Sequence, residues 1–149
     1  MQTKSSKLRE LIQKEEFIYA PVAFDALGGR LIQKHGFKVV YCGGYTSGSS
    51  LCLAEPLLTR DEQLSFAKSI ASRVDLPLIV DAGGGWGEPL HTMRTVRECI
   101  ASGISGAHFE DQLYPKRAHY HKYVAHAIPA EDFYAKIKMA CIERDSLDK

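Results

Sequence analysis

Apolar positions along the chain change repeatedly between helical and extended spacing. Leu8, Leu11 and Ile12 recur at helical spacing and predict a helix over residues 5–15. FIYAPVAF (17–24) reads as a first strand, with Pro21 weakening its interior or bending its end. Asp25 is placed to cap a helix carrying Leu27, Leu31 and Ile32 and closed by Gly36. FKVVYC (37–42) is a second strand, running into a Gly/Ser-rich loop, GGYTSGSS. Thr59 and Glu62 have the spacing of a capping box, ahead of a helix with Leu64, Ala67, Ile70, Ala71 and Val74 on one face. LPLIV (76–80) is the continuous apolar run of a strand buried on both sides. It ends at Asp81 and the glycine cluster AGGGWG. Pro89 suits the first turn of a further helix, with Leu90, Met93, Val96 and Ile100 inward and Gly103 as its stop. ISGAHFED (104–111) is the fourth strand. Residues 112–129 show no period, and a last helix covers 130–144 with Phe133, Ile137 and Ala140 on one face.

Strands alternating with helices define an α/β fold built on a parallel sheet with right-handed crossovers. Periodicity leaves a doubly wound sheet and a barrel both open. Polar residues gather at the carboxyl ends of strands 2, 3 and 4, where barrel enzymes place their sites, which leans toward a barrel.

Composition narrows the function classes. The 149 residues are 45% hydrophobic and 25% charged, which excludes a disordered chain. A formal net charge of +1 gives no steering toward nucleic acid or an anionic membrane. No apolar run approaches the ~20 residues that span a bilayer. The charged N-terminus lacks an apolar signal core, so a cytoplasmic protein is expected. Cys42, Cys52, Cys99 and Cys141 form no CxxC and no finger-like spacing, and fit a reducing compartment as small buried side chains.

Asp81 closes the third strand, and Glu110 with Asp111 closes the fourth. Neighbouring strands lie ~4.8 Å apart, so carboxylates ending adjacent strands can converge on one ion. Mg²⁺ suits them, since it accepts one or two carboxylates together with waters and a substrate oxygen. The plainer reading is that these acids cap helices or solvate strand ends. The glycines at 83–87 allow close backbone approach or a tight turn, but make neither a dinucleotide fingerprint nor a P-loop. Residues 112–129 form a connection long enough for a functional lid and carry Lys116, Arg117, His119, His121, Lys122 and His126. Lys116 and Arg117 suit carboxylate or phosphate groups. The three histidines lack a zinc spacing, and a solvated basic loop accounts for all six residues. His108, inside the fourth strand, reads as a hydrogen-bonded core histidine.

Together, PVAFDALGGRLIQKHGFKVVYCGG and VDLPLIVDAGGGWGEPLHTMRTVRECIASGISGAHFEDQLYPKR resemble the isocitrate lyase / phosphoenolpyruvate mutase superfamily, over about residues 8–143. The resemblance implies a (β/α) TIM-type barrel that binds Mg²⁺ and a 2-oxo or 2-hydroxy carboxylate. It implies stabilisation of an enolate-like intermediate while a C–C or P–C bond is made or broken. Asp81 matches the first acid of the family's D-x-D metal motif and Glu110 the acid of its H-x-E-D-Q strand. The second D-x-D acid falls on Gly83. Where the family's second strand ends in Ser-Gly, this chain has Gly43 and Gly44, leaving backbone N–H groups to hold the substrate carboxylate. Tyr41, Gly43, Gly44 and Tyr45 are the expected substrate-binding set. The lyases' lid reads K-[KR]-C-G-H, with the cysteine as acid/base; here it reads Lys116, Arg117, Ala118, His119, Tyr120. Alanine cannot transfer a proton, so His119 joins Lys116 and Arg117 as the candidate catalytic set. Glu55 lies about one residue from where some members place an acid.

Residues 1–149 are thus expected to be the N-terminal part, about four βα units, of a single barrel that needs ~250 residues when complete. The expected activity is Mg²⁺-dependent lyase-type chemistry. The alternatives are an oxaloacetate-type decarboxylase or hydrolase or a phosphonomutase of the same superfamily, or a non-catalytic truncated remnant. The expected partners are a small carboxylate and further copies of the chain in a homo-oligomer.

Overall fold

Helix boundaries fall where a side chain can satisfy the orphan N–H groups of a first turn. In the computed structural model, which describes residues 2–15, 17–117 and 126–147, Thr3 caps α1 (Lys4–Lys14), its hydroxyl accepting from Ser6 N. Asp25 caps α2 (Ala26–Lys34) through Gly28 N at 2.6 Å. At α4 (Arg60–Ala71) the box closes in both directions, Thr59 Oγ1 accepting from Glu62 N and Glu62 Oε2 from Thr59 N. Such a cap is worth about 1 kcal/mol. Pro89 opens α5 (Pro89–Ala101), and α6 covers Ala130–Leu147. Gly36 and Gly103 follow α2 and α5 in the left-handed region, at φ +82° and +73°.

Three parallel strands, β1 (Val40–Cys42), β2 (Leu78–Asp81) and β3 (Gly106–His108), pair in chain order. The register aligns Tyr41 with Ile79 and Gly106, and Asp81 with His108. Order along the sheet follows order along the chain, so the described strands contain no reversal point of the doubly wound kind. The fold is α/β with a parallel sheet.

Alternation along the strands separates two faces. Val40, Cys42, Leu78 and Val80 are fully buried, with Leu64, Ala67, Ile70 and Val74 in the same core. Each fully buried aliphatic side chain contributes ~1.5–3 kcal/mol. Tyr41, Ile79, Asp81 and His108, on the opposite face, are only partly buried. That face carries the site. Burial in apolar surroundings pushes the Cys42 and Cys99 thiols up to about 11 and about 12, so both behave as inert core groups. Cys52, by contrast, is exposed.

Two elements differ from the sequence expectation. The strand at 17–24 reduces to one parallel bridge, Val22 with Tyr41, where Ala23 N donates to Tyr41 O and Tyr41 N to Pro21 O. Pro21 has no N–H to extend the ladder, and Phe17 and Tyr19 lie exposed against each other. The Gly/Ser stretch is not a loop but a helix, α3 (Gly44–Ser50). The Thr46 and Ser47 hydroxyls donate back to Gly43 O, and tight packing of Gly48 against Leu53 O overrides the weak helix propensity of the segment.

Candidate metal centre

The site lies at the carboxyl ends of β1, β2 and β3. Asp81 ends β2 with both oxygens engaged. Its Oδ2 accepts from Gly44 N at 3.1 Å, and its Oδ1 accepts from Gly83 N at 2.9 Å. His108 Nε2 lies 3.3 Å from the same Oδ1. Burial alone would raise the Asp81 carboxyl, but these three donors outweigh it and bring it down to about 2. Asp81 is therefore a fixed anion at neutral pH.

Glycine is required at two of these positions for different reasons. A Cβ on Gly44 would stand 2.9 Å from Glu55 Oε1 and 3.2 Å from Asp81 Oδ2, so the two carboxylates flank a point only a bare backbone can occupy. Gly83 adopts φ +47°, turning its N–H onto Asp81 while its carbonyl accepts from Glu110 N at 2.8 Å. The turn after β2 is thereby tied to the turn after β3. From α6, Lys136 donates to Gly84 O at 2.9 Å and holds the glycine turn from behind.

His108 is hydrogen-bonded, as the sequence suggested, but belongs to the site and not to the core; its side chain is 42% exposed. The Asp81 hydrogen bond raises its pKa. Its ring lies parallel to that of Tyr41, and Tyr41 Oη is 2.9 Å from Nδ1. When His108 is neutral with Nε2–H directed at Asp81, its Nδ1 accepts a hydrogen bond from the Tyr41 hydroxyl. Burial and the neighbouring carboxylates of Asp81 and Glu110 push the Tyr41 phenol far above its ordinary value, which keeps it protonated.

The third anion is Glu110. Asp81, His108 and Glu110 each offer a ligand atom within 4.8 Å of the others. Glu110 Oε2 is buried and accepts no hydrogen bond, as is Gln63 Oε1; these are the two such atoms among the described residues. The nearest charge to Glu110 Oε2 is Lys116 Nζ at 3.0 Å, an ion pair without hydrogen-bond alignment, and that ammonium also donates to Glu55 Oε1 at 2.7 Å. Burial would lower the Lys116 pKa, but the close contacts with the Glu55 and Glu110 carboxylates outweigh it, and the net direction is up.

A cavity of about 350 Å³ opens beside these groups, lined by Glu55, Arg60, Asp81, Trp86, Tyr114 and Lys116 among others. The donor set fits a hard divalent ion. Asp81 Oδ2 keeps a free lone pair, Glu110 Oε2 accepts no hydrogen bond, and water would fill the other positions such an ion requires. His108 is less suited as a ligand, because its Nε2 is committed to Asp81 and imidazole is a poor match for Mg²⁺.

The expected residues are distributed unevenly. Tyr41, Gly44, Asp81, Glu110 and Lys116 converge. Gly43 is the N-cap of α3, with its carbonyl taken by the Thr46 and Ser47 hydroxyls. The Gly44 N–H expected to hold a substrate carboxylate holds Asp81 instead. The Tyr45 side chain is 64% exposed and does not line the cavity. Arg117 lies at the surface. His119, and with it His121, lies outside the described residues. Glu55 joins the site from a 3₁₀ turn, Glu55–Leu57, that carries no periodic signal. Leu113 N to His126 O and Ile128 N to Asp111 O tie the two ends of the long connection together.

Carboxylates converge here at the carboxyl ends of parallel strands, the end of the sheet at which barrel-type α/β enzymes place their sites. The phosphoenolpyruvate phosphomutase family model matches residues 8–148, and the chain belongs to that family, within the isocitrate lyase / phosphoenolpyruvate mutase superfamily. It is 37% identical over 139 residues to an Arabidopsis thaliana chloroplastic carboxyvinyl-carboxyphosphonate phosphorylmutase, covering 91% of this chain and 40% of that protein. It is 35% identical over 147 residues to the 2,3-dimethylmalate lyase of Eubacterium barkeri, covering 97% and 50%. A phosphonopyruvate hydrolase solved with oxalate and Mg²⁺ superposes with a TM-score of 0.86 at 26% identity, covering 95% of this chain and 48% of that one. The chain thus spans about half the length of the relatives it matches. No helix among the described residues is long and apolar enough to cross a membrane.

Proposed function

We propose that the chain is the N-terminal half of a (β/α) barrel and supplies the cation-binding part of a lyase-type active site for a small 2-oxo or 2-hydroxy carboxylate. The observation carrying this reading is the meeting of ionised Asp81 with the buried Glu110 Oε2, which accepts no hydrogen bond, at one end of the sheet. Asp81 and Glu110 would hold Mg²⁺, partly through water. When bound, a divalent ion polarises substrate oxygens and stabilises the negative charge that develops as the bond is cleaved. Tyr41, kept protonated and oriented by His108, offers a hydroxyl on the same face as Asp81. Lys116 supplies positive charge for a substrate carboxylate, and Arg117 and His119 complete the proposed catalytic set. Because Gly44 N–H is occupied, Gly43 and Tyr45 are left as the backbone contributors to substrate binding.

Ala118 stands where the lyases carry their acid/base cysteine, which favours decarboxylation or hydrolysis as the second reading. A proton NMR panel of oxaloacetate, methylisocitrate and phosphonopyruvate, with and without Mg²⁺, tests both. Saturation transfer to at least one of them is expected only with Mg²⁺ present. Consumption of methylisocitrate supports the lyase reading; consumption of oxaloacetate or phosphonopyruvate alone supports the second. Equal binding with and without Mg²⁺ contradicts both. The half-exposed inner sheet face further implies that copies of the chain associate.

A further inference from the structure

Lys116 stands on the group that a divalent ion would need. We propose that Lys116 and the divalent cation exchange at Glu110: the ammonium neutralises the carboxylate while the ion is absent and withdraws onto Glu55 when it binds. This deepens the reading of Asp81 and Glu110 as ion ligands and rests on it.

The geometry supplies both positions of the exchange. Lys116 Nζ lies 3.0 Å from Glu110 Oε2 and 2.7 Å from Glu55 Oε1, with all three side chains largely buried. The two contacts are unequal: the one to Glu55 is an aligned hydrogen bond, and the one to Glu110 is an ion pair without that alignment. Glu110 is therefore the partner more easily released. A hard divalent ion takes carboxylate oxygen at about 2.1 Å, so an ion on Glu110 Oε2 would leave the ammonium only a few ångströms away. Two cations that close in a partly buried site repel strongly.

Charge counting points the same way. Glu55 and Glu110 share one ammonium, and Asp81 stands beside Glu55 across Gly44. These three carboxylates and one ammonium keep two negative charges, which one divalent ion cancels. Nothing in this balance requires Lys116 to leave altogether. It need only give up Glu110, and its long flexible stem allows that while Glu55 retains it. The ammonium is then beside the cavity it already lines and available to a carboxylate there.

Two measurements on the full polypeptide test the exchange. Titration calorimetry with Mg²⁺ should show Lys116→Met binding the ion about tenfold more tightly than wild type, because a like charge has been removed. Labelling of Lys116 by an amine-reactive ester, read by mass spectrometry, should rise severalfold with Mg²⁺ and share its midpoint with ion binding. This second readout needs no variant. If Lys116→Met binds Mg²⁺ equally or more weakly and the labelling does not rise, the exchange is overturned while the ion site stands. If neither protein binds Mg²⁺, the ion-site reading fails and the exchange falls with it.

Discussion

Asp81→Asn is expected to weaken divalent-cation binding by about 100-fold or more, since even the partners that merely orient metal ligands are worth 10–100-fold. Any Mg²⁺-dependent turnover should fall with it. The substitution keeps shape but removes the charge. It also disturbs folding, because both Asp81 oxygens accept hydrogen bonds from Gly44, Gly83 and His108. An asparagine NH₂ must face one of these donors, at about 1–3 kcal/mol for a buried unsatisfied group. The pH dependence separates the two effects. A carboxyl held at about 2 contributes stability that is complete above its ordinary value near pH 4 and is lost as pH falls through about 2. His108 shifts upward, so its share is complete below its ordinary value and is lost as pH rises through the raised one. Wild type should lose about 2 kcal/mol between about pH 5 and pH 1 through this group, and Asp81→Asn should lack that component. Glu110→Gln should weaken ion binding to a similar degree without it. Unchanged ion affinity in both variants would remove the two-carboxylate site.

Self-association of the 149-residue chain is the second large effect expected. The helix-packed face of the sheet is sealed, with Val40, Cys42, Leu78 and Val80 at 0% exposure, but Tyr41, Ile79 and Asp81 on the other face stay partly open. A parallel sheet is ordinarily covered on both faces. β3 also ends the described sheet, and a largely apolar cavity of about 350 Å³ runs beside it, between α1, α5 and α6. An uncovered face next to an unpaired strand edge is a template for another chain, and a symmetric dimer is the commonest closed solution. Sedimentation velocity at micromolar concentration should show a dimer or larger species. A chain that remains monomeric should show the weak near-UV circular dichroism of loose packing. A monomer with sharp near-UV signals would overturn both the uncovered-face argument and the half-barrel reading.

What the sequence made legible was whatever repeats with a period or ends an element. LPLIV could be read as a buried strand because every position is apolar, and Asp81 stood out as the polar residue that stops it. Thr59 and Glu62 marked a helix start because capping depends on local spacing alone. The strand at 17–24 shrank to a bridge because one missing N–H, at Pro21, outweighs an apolar run. α3 was hidden because its Gly/Ser composition favours a loop, and only tertiary packing makes it helical. His108 read as core because ISGAHFED lacks a strict apolar–polar alternation that would tell which face each residue takes. Glu55 was the least visible: it reaches the site from a short turn, by contact with a lysine 61 positions away. Spacing in sequence carries no information about such a pair.

The ion site itself is the central claim, and Mn²⁺ titration followed by electron paramagnetic resonance tests it most directly. One Mn²⁺ should bind per chain, be displaced by Mg²⁺, and be lost in Asp81→Asn. A folded wild-type chain that leaves the free Mn²⁺ signal undiminished, or an Asp81→Asn variant that binds Mn²⁺ as wild type does, would contradict it.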